Sequence, residues 1–311
     1  MGTRFWEGYW KSLKPLDVEE PIDVWVHRPL AYLLARSVFR TPVSPNAITL
    51  GSVVLGVAAL YCLLRGALPL AGLLVFLSAV FDCADGQLAR MRGTSSAFGR
   101  MLDGLADLVV TVATVGGGTY LVWLKYHEPW HLGALAIGLC AATAVTGSFH
   151  TGLYDHYKNL FLRLTNIEYQ EGEDLASAEQ RFRKQKQHGS PLMVLSWAVY
   201  LFYVRSQLNV ARWFDPHLGV ELGALPPYDA DRAALYRERL RLTMKLWRSW
   251  FGFGSLVFGL AVAIALNVVE WYMLGRLILL NGVFFLYLRP LQQRVSREVS
   301  ESFAAEGALG R

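Results

Sequence analysis

Ala47–Leu64 runs without a single charged side chain, and Gly66–Phe81, Leu108–Leu124, Leu132–Tyr154 and Ser249–Val269 are apolar in the same unbroken way, His150 being the one ionisable exception. Trp271–Leu288 adds a sixth such stretch, interrupted only by Arg276. A helix needs roughly 20 residues to cross a hydrocarbon core of about 30 Å, and these stretches match that length. No water satisfies backbone N–H and C=O groups in that core, so each segment must satisfy its own, which helices do and open sheets do not. Hydrophobic residues make up 53% of the 311-residue chain and mean hydropathy is +0.29, which excludes an ordinary soluble domain. The expected fold is all-α, an integral membrane bundle of six transmembrane helices.

Positive charge sets the orientation, because short cytoplasmic loops retain Lys and Arg while translocated loops do not. With the N-terminus inside, 27 of the 30 Lys and Arg fall on the cytoplasmic side, and only Arg65, Lys125 and Arg276 fall outside. Both termini are then cytoplasmic, in a multi-pass protein of a bacterial-type inner membrane. Met1–Lys14 is broken by charges and lacks a cleavable signal pattern, so the first span is expected to act as the membrane signal.

Residues 1–45 form an expected cytoplasmic lead-in with an interfacial helix, whose apolar side comprises Val18, Ile22, Trp25, Val26, Leu30, Leu33 and Leu34. Arg28, Arg36 and Arg40 suit anionic lipid headgroups, and no nucleic-acid partner is expected. Pro191–Val204 is apolar, but at about 21 Å of helix it falls short of a span and is expected at the interface. Gln170–Gly189 reads as a solvated loop or short helix, acidic first at Glu171, Glu173 and Asp174 and basic after. Pro226 and Pro227 stop one element, and Asp229 or Asp231 can cap the next. Cys62, Cys83 and Cys140 all fall within apolar spans and are expected to be packing residues. No internal repeat signals a solenoid or a duplicated transporter.

Against this apolar background, Asp82–Asp107 spells D-x2-D-G-x2-A-R-x8-G-x3-D-x3-D. A carboxylate within a membrane segment costs on the order of 3 kcal/mol, so four together call for a cation or a water-filled cavity. On helices, Asp82, Asp85, Gly86 and Ala89 share one stripe, and Gly99, Asp103 and Asp107 share another. The turn through Gly93, Thr94, Ser95 and Ser96 brings the stripes together at the cytoplasmic end of spans 2 and 3, an expected cytoplasmic active site. Asp82, Asp85, Asp103 and Asp107 can converge on two hard divalent ions, Mg²⁺ or Mn²⁺. Gly86 and Ala89 leave room for a ligand, and Arg90 offers a planar fork to phosphate oxygens.

The complete pattern resembles that of the CDP-alcohol phosphotransferase family, and Ser44-Pro45-Asn46-Ala47-Ile48-Thr49 is similar to an element preceding the first span there. The resemblance implies attack by an alcohol on the phosphorus distal to cytidine in a CDP-linked donor, either CDP-diacylglycerol or a small CDP-alcohol, with release of CMP. It further implies that Asp82, Asp85 and Asp103 hold metal, that Asp107 joins the metal site and acts as base, and that the protein forms a homodimer. Gly86, Ala89, Arg90 and Gly99 would surround the nucleotide, with Asn46 and Thr49 as weaker contacts. Against these roles stand a snorkelling Arg90, small residues serving helix packing, and Asn46 as a helix N-cap.

The domain carrying this chemistry is expected over residues 46–292, including a cytoplasmic segment about 158–248, with a cytoplasmic tail at 293–311. Acceptor contacts are expected from Lys158, Arg163 and Arg205, which also suit membrane lipids. His150 and His156 are expected to serve packing or the surface. A second class of function, a divalent-cation or proton-coupled transporter, would use the same aspartates.

Overall fold

The structure is a computed structural model that describes residues 2–167, 175–226 and 228–305. Among these residues there is no strand, and six helical stretches are long and apolar enough to cross a membrane: Pro45–Leu64, Leu68–Arg92, Ala97–Glu128, Gly133–Thr165, Ala230–Ala265 and Val269–Phe303. The chain divides into two compact units, Met1–Gly147 with Phe253–Leu279, and Ser148–Gly252 with Leu280–Arg311.

The first unit opens with α1 (Gly2–Ser12), a single π-helical turn at Asp23–His27, and α2 (Arg28–Val38). The lead-in thus holds two helical runs, α1 and an unbroken one over residues 21–38 that contains the π-helical turn. Trp25, Leu30 and Leu33 of the expected apolar side do face outward, whereas Val18 is buried, and Ala31, Tyr32 and Ala35 form the inward face. Tyr9 on α1 donates to the Val24 carbonyl and, with Leu13 and Tyr32, closes a small core. Burial pushes the Tyr9 phenol up to about 12, so it stays a donor.

The helices α3 (Pro45–Leu64), α4 (Leu68–Arg92) and α5 (Ala97–Trp130) follow, then α6 (Gly133–Thr165), whose first half belongs to this unit. Ser44 caps α3 by accepting from the Ala47 amide, so the N-cap role open to Asn46 falls to Ser44. Leu50, Val54, Val57, Tyr61 and Leu64 form an exposed stripe on α3, spaced as a lipid-facing side requires. The opposite side packs on α4. There Ala71 and Val75 meet Ala59, Leu63, Val257, Ala261 and Ile264 in one buried cluster. Contact with the segment Phe253–Ala265 is close: a Cβ added to Gly72 would lie 2.5 Å from the Ala261 carbonyl oxygen. Arg92 at the end of α4 donates to the carbonyls of Val38, Phe39, Thr41 and Val43, fixing the link from α2 to α3.

The second unit contains α7 (Leu175–His188), α8 (Pro191–Phe214) and α9 (Ala230–Trp250). Of the two readings for 170–189, loop or short helix, the helix is present from Leu175, and Glu171, Glu173 and Asp174 lie outside the described residues, as does Pro227. The helix at Pro191 continues to Phe214, so it is not too short to cross; its composition keeps it out of the candidate spans. Asp229 is the cap of α9, accepting from the Arg232 amide at 3.0 Å. The apolar run after α9 is α10 (Phe253–Ala265), and α11 (Val269–Gly275) leads through π-helical turns flanking α12 (Asn281–Val283) to α13 (Arg289–Ala305). The segment read as a tail is therefore helical through Ala305, with Val295, Val299 and Phe303 buried. The core of this unit is aromatic, with Phe214 and Phe251 each packed against both Trp247 and Phe284, and His150 packs against Phe251 and Phe284.

Candidate active site

The site begins with how α4 stops. Gly93 adopts φ 64°, a left-handed conformation that costs glycine little, and the Thr94 amide bonds the Ala89 carbonyl at 3.0 Å. Ser96 then starts α5, its hydroxyl accepting from the Gly99 amide at 3.0 Å. This reversal brings the acids of the two helices together: one oxygen each of Asp82, Asp85 and Asp103 lies within 4.8 Å of the others.

Two observations suit this trio to a hard cation. Its donors are carboxylate oxygens. Asp82 Oδ1 is buried and has no hydrogen-bond partner among the described residues, whereas Thr49 of α3 orients Asp85 by donating to its Oδ2. Asp107 stands outside the trio but lines the same cavity of about 210 Å³.

Gly86 and Arg90 also line this cavity, and a Cβ on Gly86 would sit 3.3 Å from Arg90 Nη1. Arg90 does not snorkel; its Nε donates to the Ser12 carbonyl at 2.8 Å, and Gln87 donates to the Ser12 hydroxyl at 3.0 Å. Gly99 and Asn46 are neighbours, since a Cβ on Gly99 would lie 3.6 Å from Asn46 Oδ1. Ala89 is half-buried and contributes its carbonyl to the end of α4. In the second unit, Lys158 pairs with Asp155 and Arg205 with Glu179, while Arg163 is half-buried on α6. His156 bonds the Leu218 carbonyl at 2.9 Å, a packing role.

The cavity has a wall that the motif does not include. Lys14, Glu20, Asp23, His27 and Arg28 line it from the N-terminal segment, with Phe253, Gly254 and Val257 from α10. Arg28, expected at lipid headgroups, is instead held against Glu19 at 2.7 Å. Burial alone would lower the Arg28 pKa, but neighbouring acids, Glu19 foremost, raise it above its ordinary value and keep it charged. Glu20 accepts from the Gly254 and Ser255 amides at 3.1 and 2.9 Å, capping α10. A signal for this wall was available, since Glu19, Glu20, Asp23, His27 and Arg28 interrupt an apolar segment, with Asp23 and His27 at i,i+4.

Residues 42–156 match the family model described as CDP-alcohol phosphatidyltransferase. A phosphatidylinositol phosphate synthase of Corynebacterium glutamicum is 34% identical over 113 residues, covering 36% of this chain and 52% of that protein. Another from Mycobacteroides abscessus is 38% identical over 99 residues, covering 32% and 42%. A bifunctional IPC transferase and DIPP synthase of Rubrobacter xylanophilus is 37% identical over 86 residues, covering 26% and 20%. The chain thus spans about half the length, or less, of these relatives. No solved structure gives a significant match.

Proposed function

We propose, from the premise that residues 42–156 form a CDP-alcohol phosphatidyltransferase domain, that the chain is a membrane transferase of lipid biosynthesis moving a substituted phosphate from a CDP-linked donor to an alcohol. The observation that carries this is the trio Asp82, Asp85 and Asp103, with the orphaned, buried Oδ1 of Asp82, in a cavity that also holds Arg90 and Asp107. The transporter alternative finds no support in the relatives, which are named as synthases and transferases.

In the reaction, the acceptor oxygen attacks the phosphorus distal to cytidine, a new P–O bond forms, and the bond to CMP breaks. Asp107 takes the hydroxyl proton, since it lines the cavity without belonging to the trio. Arg90 holds diphosphate oxygens, with its guanidinium steadied by Ser12 and exposed by Gly86. Gly99 and Asn46 border the nucleotide. Asp82, Asp85 and Asp103 would hold the divalent ions, Mg²⁺ or Mn²⁺, which when bound supply positive charge against the phosphate oxygens. The relatives' names point to a phosphatidyl donor and a phosphorylated inositol acceptor. A cytoplasmic site with cytoplasmic termini is supported by the distribution of Lys and Arg, and a homodimer belongs to the same proposal.

The test is Mg²⁺- or Mn²⁺-dependent CMP release by the purified chain, with CDP-diacylglycerol and small CDP-alcohols offered against inositol, inositol phosphate, glycerol phosphate and serine. Acceptor-dependent CMP release supports the proposal and names the acceptor. Absence of cytidine-nucleotide binding overturns it.

A further inference from the structure

We propose that Asp23 and His27 form a hydroxyl-binding pair on which the acceptor alcohol docks, with His27 Nε2 taking a hydrogen bond from one of its hydroxyls. The proposal rests on the phosphotransfer reading and assigns to that site residues outside the family-matched segment 42–156.

Asp23 and His27 bound a π-helical turn, closed by the Arg28 amide on the Asp23 carbonyl, a geometry that recurs at functional positions. His27 Nδ1 lies 2.8 Å from Asp23 Oδ1. A carboxylate only accepts, so Nδ1 carries the proton, and in the neutral ring Nε2 is left as an acceptor. The ring is wholly buried and packs near Phe76 and Phe258, yet it lines the cavity that contains the aspartates. Nε2 has no hydrogen-bond partner among the described residues. A buried acceptor without a donor is costly, and a ligand hydroxyl relieves that cost.

The pair is held rigidly. A Cβ on Gly254 would overlap Asp23 Oδ1, so only glycine admits the carboxylate there, and Glu20 pins the same segment to α10. The wall carries opposing charges, Lys14 and Arg28 against Glu20 and Asp23, which suits the hydroxyl face of a polyol. Chemistry shared with the relatives resides in the matched segment. A wall outside it is therefore where one acceptor is told from another.

The experiment measures binding of myo-inositol 1-phosphate and glycerol 3-phosphate, and separately of CMP, to the purified full chain with Mg²⁺. His27→Phe keeps the packing beside Phe76 and Phe258 but removes Nε2. It is expected to weaken binding of the preferred alcohol about tenfold, with CMP affinity unchanged. His27→Gln, which restores an acceptor atom, is expected to recover part of the loss. Asp23→Asn, acting through His27, is expected to weaken alcohol binding and to change the imidazole ¹⁵N tautomer signature. Equal alcohol affinity in wild type and His27→Phe would overturn the proposal, as would a wild type that binds CMP but neither alcohol. A wild type that fails to bind CMP would overturn the phosphotransfer reading, and this proposal with it.

Discussion

Among single residues, Thr49 and Asp107 separate two jobs that the motif leaves merged. Thr49 donates its hydroxyl to Asp85, so Thr49→Val leaves a buried carboxylate oxygen without its donor. That change is expected to raise the divalent-ion concentration for half-maximal CMP release several-fold, about 1 kcal/mol, with a smaller change in donor KM. A Mg²⁺ titration of activity decides it. Asp103→Asn is expected to abolish ion binding and activity together, whereas Asp107→Asn lowers kcat more than it weakens the donor. Equal loss of donor affinity in both variants would sink a separate role for Asp107 as base. The acids were legible in the sequence because four carboxylates in apolar helices are too costly to keep unless a cation or water offsets them. Thr49 was legible only as a neighbour of the site, since its partner lies 36 positions away and the bond exists only after α3 packs on α4.

At the level of helices, two features offer direct tests. Gly72 lets α4 approach α10 so closely that a larger residue must push the helices apart. Gly72→Leu is expected to cost about 1–3 kcal/mol through overpacking, read as a lower thermal midpoint in detergent. Asp229 caps α9, and the Arg232 backbone amide, then its side chain, holds the Asp229 carboxyl below its ordinary value. A depressed carboxyl gives its support above the unfolded-state value near 4 and loses it as pH falls through the folded value. The protection factor of the Arg232 amide, its exchange rate relative to the intrinsic rate at the same pH, is therefore expected to fall on acidification below about pH 4, and Asp229→Asn should remove that fall. The six candidate spans were readable from apolar length alone. The start of α10 was not: it depends on Glu20 meeting the Gly254 and Ser255 amides, a contact between residues more than 200 positions apart.

For the whole molecule, the expectation was a lead-in at 1–45, a six-helix domain over 46–292 and a tail at 293–311, and the chain forms two compact units that each join part of that domain to one of the flanking segments. Nothing local announces this, because the first unit draws Phe253–Leu279 from far along the chain. A fragment ending at Gly147 retains every motif aspartate but exposes the side of α4 that Val257, Ala261 and Ile264 cover. It is expected to aggregate on gel filtration in detergent, and co-expression with residues 253–279 to restore a monodisperse peak; a monodisperse fragment on its own would contradict this. The capping of α10 by Glu20 has a consequence in time. Glu20 leaves the ribosome more than 200 residues before Gly254, so throughout most of synthesis the cavity lacks one wall and Glu20 waits without the amides it caps. Assembly of the site is thus a late event of translation, and a nascent chain stalled before α10 would present the aspartates without the enclosure that makes them useful.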